Sequence, residues 1–346
     1  MNNRITQLDG LRAFAFLAVF VHHAFKAPLL WMGVDLFFVM SGFLITRILL
    51  GLKEKGKGFF GPFYARRARR ILPPYLLFIV FSTIVIPVAW KHIWFYYAFF
   101  AANVAEMLGV GGGRALAPLW SLAVEEQFYL VWPFVVLLTS RKNLKRICLV
   151  GVFALPIIRA LATPYVSFSV IYHMTFFRMD LLMAGSFVGM VWDEDRSKVM
   201  SYQRMAGVMT LIVPLAILAL ARIPSFRTGA NSVLFNGVGY SLALVMFTSV
   251  LVYSLSIREG MVFRLLTSGL LTYLGRISYM MYLVHATMIV LVEKLALHGH
   301  KGLVVESAIA LAATVAFASL SWKFVEGPIL NAGHVPPKLT NVAAAS

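Results

Sequence analysis

The chain is a succession of apolar runs joined by short basic connections. The runs fall at about 10–27, 33–51, 72–89, 93–108, 119–138, 147–162, 172–192, 205–221, 233–254, 270–292 and 303–324. Roughly 20 helical residues cross the hydrocarbon of a bilayer, and most of these runs are close to that length. Hydrophobic residues make up 60% of the chain, against about 45–50% in soluble domains. The first run, Ala13 to Val21, is followed by His22 and His23 rather than by small residues of a cleavage site, so it reads as a retained helix. Backbone polar groups inside lipid must be satisfied within the segment itself. The expected fold class is therefore an all-α integral membrane bundle.

Charge decides how many runs span. The stretch 51–70 holds Lys53, Lys55, Lys57, Arg66, Arg67, Arg69 and Arg70, and the 140s hold Arg141, Lys142, Lys145 and Arg146. Positive loops stay cytoplasmic. Both can do so if 93–108 enters and returns without crossing, with the glycine run Gly109–Gly113 as irregular backbone buried in protein. About ten transmembrane helices and one re-entrant segment, about 93–118, are then expected, with both termini cytoplasmic. Residues 1–330 form a single membrane domain, and 331–346 read as a disordered cytoplasmic tail. The net charge of +17 meets anionic lipid and acidic ligands rather than nucleic acid, because the cations form no soluble domain of their own. A lone cysteine, Cys148, excludes an internal disulfide framework.

Charged side chains in lipid cost at least about 2.5 kcal/mol each, so each implies a partner or a task. Arg12 and His23 lie eleven residues apart on the first helix, close to three turns, and so share a face about 16 Å apart in height. Asp35, at the outer start of the second helix, can approach His23. Glu125 and Glu126 sit at the outer end of their helix, their directions about 100° apart, so that one of them is expected to face a given site. His285 also lies in an outer half. Arg47, Arg67, Arg70 and Arg276 lie on the inner side. For His22, a plain hydrogen bond to a neighbour is the simpler reading, and the Arg66–Arg70 cluster can equally serve as a topology anchor. No metal-ligand spacing stands out, and Gly111–Gly113 is too short a signal for a phosphate loop.

At these residues the sequence resembles the acyltransferase 3 family, membrane-bound O-acyltransferases of bacterial surface glycans. The matching stretches begin with Leu8-Asp9-Gly10-Leu11-Arg12 followed by His23, then Gly33-Val34-Asp35-Leu36-Phe37-Phe38-Val39-Met40-Ser41-Gly42-Phe43-Leu44-Ile45. They continue with Phe63-Tyr64-Ala65-Arg66-Arg67-Ala68-Arg69-Arg70-Ile71-Leu72-Pro73 and Trp120-Ser121-Leu122-Ala123-Val124-Glu125-Glu126-Gln127-Phe128-Tyr129. Arg178-Met179-Asp180, Ser278-Tyr279-Met280-Met281-Tyr282-Leu283-Val284-His285 and Glu326-Gly327-Pro328 complete the series, in the family's order. The resemblance implies a ten-helix domain of the bacterial inner membrane that takes an acyl group, commonly acetyl, from cytoplasmic acyl-CoA. The acceptor is a hydroxyl, often on a lipid-linked or exported glycan. The family's arginine–histidine pair corresponds to Arg12 and His23, and its Arg-x-x-Arg motif to Arg67 and Arg70. Arg178, Asp180 and His285 are assigned to substrate. Some members carry a fused periplasmic esterase-like domain; this chain is expected to act alone or with a separate periplasmic partner.

Thioester-to-alcohol transfer needs a base for the hydroxyl and stabilisation of an oxyanion. His23 is the expected base, oriented by Asp35 or one of the glutamates, or else the nucleophile of an acyl-histidine intermediate. Arg12, Arg67 and Arg70 suit the phosphates of acyl-CoA. The alternative is a proton-coupled transporter or flippase. That class commonly shows repeated halves, and no such internal symmetry is seen here.

Overall fold

The computed structural model describes residues 5–56, 58–226, 229–296 and 302–332. Ten long helices, labelled in chain order, make the body: α1 Thr6–Phe25, α2 Gly33–Lys55, α3 Phe60–Val85, α4 Leu119–Leu138 and α5 Arg141–Ala162. They continue as α6 Thr175–Glu194, α7 Gln203–Leu220, α8 Tyr240–Ser256, α9 Gly269–Ala296 and α10 Leu303–Ser321. Among the described residues, nine helical segments are long and apolar enough to cross a membrane. The remaining long helix, α5, has 22 residues and carries Arg141, Lys142, Lys145 and Arg146 at its start. Much of the outer surface is apolar. Only 17% of the span formed by α7 is buried, and Leu138 and Ile84 are 81% and 77% exposed. In water such a surface would aggregate, but facing lipid it costs nothing. The chain is an integral membrane bundle.

Polar contacts fix which helix ends lie together. Lys53, near the end of α2, donates to the carbonyls of Val136, Leu137 and Thr139, capping the C-terminus of α4. Arg141 at the start of α5 pairs with Glu54 at 3.4 Å and with Glu194 at 3.8 Å, and Lys145 also pairs with Glu194. The ends of α2, α4 and α6 and the start of α5 therefore share one side. Helix α3 starts on that side, five residues after α2 ends, and α4 returns to it. Residues 86–118 accordingly leave and re-enter on the opposite side. They contain only short turns of helix, Trp90–His92, Trp94–Ala98 and Ala102–Met107. Their backbone is tied to the bundle by Tyr75 donating to the Tyr97 carbonyl, and by Gln127 donating to the Phe100 carbonyl and the Asn103 side chain. The 93–118 segment does not cross, as the charge pattern requires.

Close helix contacts are made through glycine. A Cβ on Gly42 of α2 would lie 1.9 Å from the Leu182 carbonyl oxygen, and one on Gly185 of α6 would lie 1.9 Å from that of Val39. Small residues let backbones approach where lipid supplies no hydrophobic drive between helices.

One boundary differs materially from expectation. Hydropathy sets the third run at 72–89, with the arginines before it in a loop; α3 instead begins at Phe60 and contains all four arginines. Arg and Lys are good helix formers, and an amphipathic turn can continue a span into the headgroup region. This puts Arg67 and Arg70 on one helix face, three residues apart. Residues 333–346, most of the expected tail, lie outside the described residues.

Candidate active site

Two adjoining cavities with lining residues in common, a lower and an upper lobe, lie between α1, α2, α3, α4 and α9. The lower lobe, about 490 Å³, is lined by Arg12, Arg47, Arg67, Arg70 and Arg276, with Asp9 the acidic lining residue. Arg12 lies 3.8 Å from Asp9, and Arg47 is paired with Asp193 at 2.6 Å. The lobe therefore carries a clear excess of positive charge in low-dielectric surroundings, where guanidinium groups suit phosphate oxygens. The upper lobe is smaller, about 90 Å³, and shares Arg12, Leu44, Arg67 and Arg70 with the lower one.

The walls of the upper lobe hold Glu125, Glu126, Tyr129 and Ser41. Tyr129 donates to Glu125 at 3.1 Å and is hydrogen-bonded to Ser41, while the Arg67 guanidinium lies 5.0 Å from the centre of its ring. Only one of Glu125 and Glu126 was expected to face the site; both line it. A divergence of about 100° still leaves both inside a cavity walled by several helices. One oxygen of Glu126, Oε1, has no hydrogen-bond partner among the described residues.

His23 and His285 do not line these lobes. They meet just beyond the top, where the ring of Tyr282 lies 5.5 Å from His285, and His285 lies 5.0 Å from His23. His285 is fully buried, with Nδ1 2.6 Å from the Tyr282 carbonyl and Nε2 3.2 Å from Nδ1 of His23. His23 Nδ1 is also 3.0 Å from the Val19 carbonyl. A carbonyl can only accept, so each Nδ1 carries the proton. His285 then accepts at Nε2, and His23 is left with a bare Nε2, the nitrogen able to take a proton. His22 instead donates Nδ1 to the Ala27 carbonyl at 2.8 Å, a local bond at the end of α1.

From its place at the start of α2, Asp35 can approach His23, and it is one of three carboxylates expected to orient that ring. It lies at zero exposure in an ion pair with Arg178. Arg178 and Asp180, expected to bind substrate, line neither lobe. Asp180 pairs with Arg159 at 2.6 Å, and all four side chains are fully buried. The Arg178 guanidinium sits among Trp31, Phe38, Trp120, Tyr172 and Tyr240, with ring centres 4.7 to 5.9 Å away. Desolvated charges are stable only when paired, and the aromatic faces stabilise the cation further. These four charges form a structural knot joining α2, α5 and α6.

A family profile described as an acyltransferase domain matches residues 5–323. The chain belongs to the acyltransferase 3 family. Acyltransferase 3 relatives include the peptidoglycan O-acetyltransferase OatA of Listeria monocytogenes, 30% identical over 96% of this chain and 56% of that protein. The O-acetyltransferase OatA of Staphylococcus aureus is 27% identical over 94% of this chain and 57% of that protein. The chain thus spans a little over half the length of these curated relatives. No solved structure matches it. Among the described residues no cluster of His, Cys, Asp and Glu is arranged to hold a metal ion.

Four acyltransferase 3 motif positions that sequence reading passed over line the upper lobe: Ser41, Ser121, Tyr129 and Tyr282. Tyr129 had a signal, lying one turn beyond Glu125 on the same face. Ser121 and Tyr282 had none, because an uncharged hydroxyl in an apolar helix gives no cost that asks for an explanation.

Proposed function

We propose that the chain moves an acyl group, acetyl in the first instance, from acyl-CoA to a hydroxyl of a surface glycan or lipid-linked sugar. The observation that carries this reading is the graded cavity: five arginines at one end, a smaller, mostly apolar lobe bearing two carboxylates and several hydroxyls, and a histidine pair with a free basic nitrogen beyond the other. The arginine lobe suits the nucleotide phosphates of the donor, and the smaller lobe suits its thin pantetheine arm. The names of the relatives support acetyl as the group and a cell-wall glycan as the acceptor class. The chain's membrane is then the bacterial inner membrane, with the arginine lobe cytoplasmic.

In this mechanism Nε2 of His23 takes the proton of the acceptor hydroxyl as its oxygen attacks the thioester carbonyl. The carbon–sulfur bond breaks, and the leaving thiolate takes the proton back from His23. A backbone carbonyl, that of Val19, orients the imidazole. His285 fills the place beside it that a carboxylate would hold in a triad. An acyl-histidine route uses the same nitrogen as nucleophile.

Replacing Arg67 and Arg70 with Gln is expected to raise the apparent KM for acetyl-CoA in a radiolabelled transfer assay. Loss of a charge-assisted hydrogen bond costs about 1.5–3 kcal/mol, roughly 10- to 150-fold. An unchanged KM in correctly inserted protein would leave the arginines as topology anchors and remove the donor site. The orientation is checked independently. A reporter fused after Arg146 is expected to read cytoplasmic and one within 164–169 external; the reverse result would turn the cavity over and defeat a cytoplasmic donor.

A further inference from the structure

The donor cavity and the histidine pair do not communicate freely, and one side chain stands between them. Tyr282 of α9 lines the top of the upper lobe on one side and faces the His285 ring on the other. Its hydroxyl lies 2.6 Å from Ser121 Oγ, and both hydroxyls reach the Pro118 carbonyl, at 3.2 and 3.1 Å. Two protons serve these three contacts, so one hydroxyl donates to Pro118 and the other donates to the first or shares the same carbonyl. Phe37 closes the remaining side, its ring 5.6 Å from that of Tyr282 and nearly edge-on. Tyr282 is 9% exposed and Ser121 4%.

We propose that Tyr282 is a gate that also sets specificity: latched to Ser121 and Pro118, it separates the thioester chamber from His23 and limits the transferred group to acetyl. This rests on the acyl-transfer reading above. The latch has a physical rationale. A thioester held beside a free imidazole and water would hydrolyse, so a ring that opens only as acceptor arrives keeps the donor intact. The latch ties α9 to the carbonyl just before α4, at the point where the non-crossing segment 86–118 rejoins the bundle. Movement of that outer segment is therefore coupled to the ring. The size limit follows from the same geometry. Beneath the ring the lobe offers about 90 Å³, and a longer acyl chain meets the Tyr282 and Phe37 rings before its carbonyl can come near His23.

The test uses full-length protein in lipid nanodiscs, with free CoA released from acetyl-, butyryl- and octanoyl-CoA as the readout and no glycan present. Wild type is expected to release CoA slowly from all three. Ser121→Ala and Tyr282→Phe, which break the latch but keep the ring, are expected to raise acetyl-CoA hydrolysis at least tenfold. Tyr282→Ala, which removes the ring, is expected to bring butyryl-CoA hydrolysis up to the acetyl rate. A general loss of packing would lower all rates together and leave their ratios alone. Unchanged acetyl-CoA hydrolysis in folded Ser121→Ala and Tyr282→Phe would overturn the gate, whether or not Tyr282→Ala folds. Folded Tyr282→Ala with the wild-type ratio of butyryl to acetyl would overturn the size limit. If wild type neither binds nor consumes any acyl-CoA, with or without membranes containing acceptor, the transfer reading itself falls, a result distinct from the other two.

Discussion

His23→Ala is expected to abolish acyl transfer while donor binding persists. Removing a general base typically lowers the rate by about 10²–10⁴, and the arginine lobe lies several turns of α1 away from the missing imidazole. His22→Ala is expected to keep most activity, because that ring is engaged with the Ala27 carbonyl at the end of its own helix. His285→Gln should fall between the two, since the amide can still accept from His23 but cannot reproduce the ring contact. The measurement is acetyl transfer and CoA affinity in purified, correctly folded variants. An active His23→Ala would dismiss the imidazole as base and as nucleophile alike, and leave Glu125 or Glu126 as the group to examine.

Arg178→Met is expected to be the most destabilising single change in the bundle. It strips the Asp35 carboxylate of its counter-ion at zero exposure, and breaking a buried pair by removing one partner costs about 3–5 kcal/mol. Little or no monodisperse protein should survive detergent extraction. Arg178→Met combined with Asp35→Leu should recover much of the folded yield, since the pair is replaced by apolar groups and no charge is stranded. Thermal unfolding followed by size-exclusion chromatography reads both. A stable, monodisperse Arg178→Met that has lost only activity would return Asp35 and Arg178 to the chemistry.

The membrane architecture was legible because hydrocarbon is an unforgiving solvent: run length and the side preference of cations fix the bundle and the returning segment 93–118 with little help from packing. The arginines of the lower lobe were legible for a related reason, since Arg12, Arg47 and Arg276 sit where charge is costly. What stayed hidden was partner choice. Asp35 lies near the height of His23, and nothing in the sequence says that it turns toward Arg178, 143 residues away. His23 finds its orienting groups in a carbonyl of its own helix and a second imidazole, neither of which has a sequence signature. Likewise the cost of Arg178 and Asp180 in lipid is legible in the sequence, but their pairing with Asp35 and Arg159 is not.

The Lys53 cap has a mechanical consequence. With its ammonium group bonded to three carbonyls at the end of α4, and Arg141 and Lys145 bridging α5 to α2 and α6, four helices are riveted into one jaw on the same side of the bundle. Helix α3 joins that group without an ion pair among the described residues, through Tyr64 donating to the Leu130 carbonyl and the Phe60 ring packing on Phe134; 28% of its span is buried, against 72% for the span containing α2. The lower lobe is therefore bounded on one side by ion-paired helix ends and on another by a helix held through lighter contacts. A guest larger than the lower lobe would displace α3, and Arg67 and Arg70 with it, at less cost than it would part the ion-paired ends.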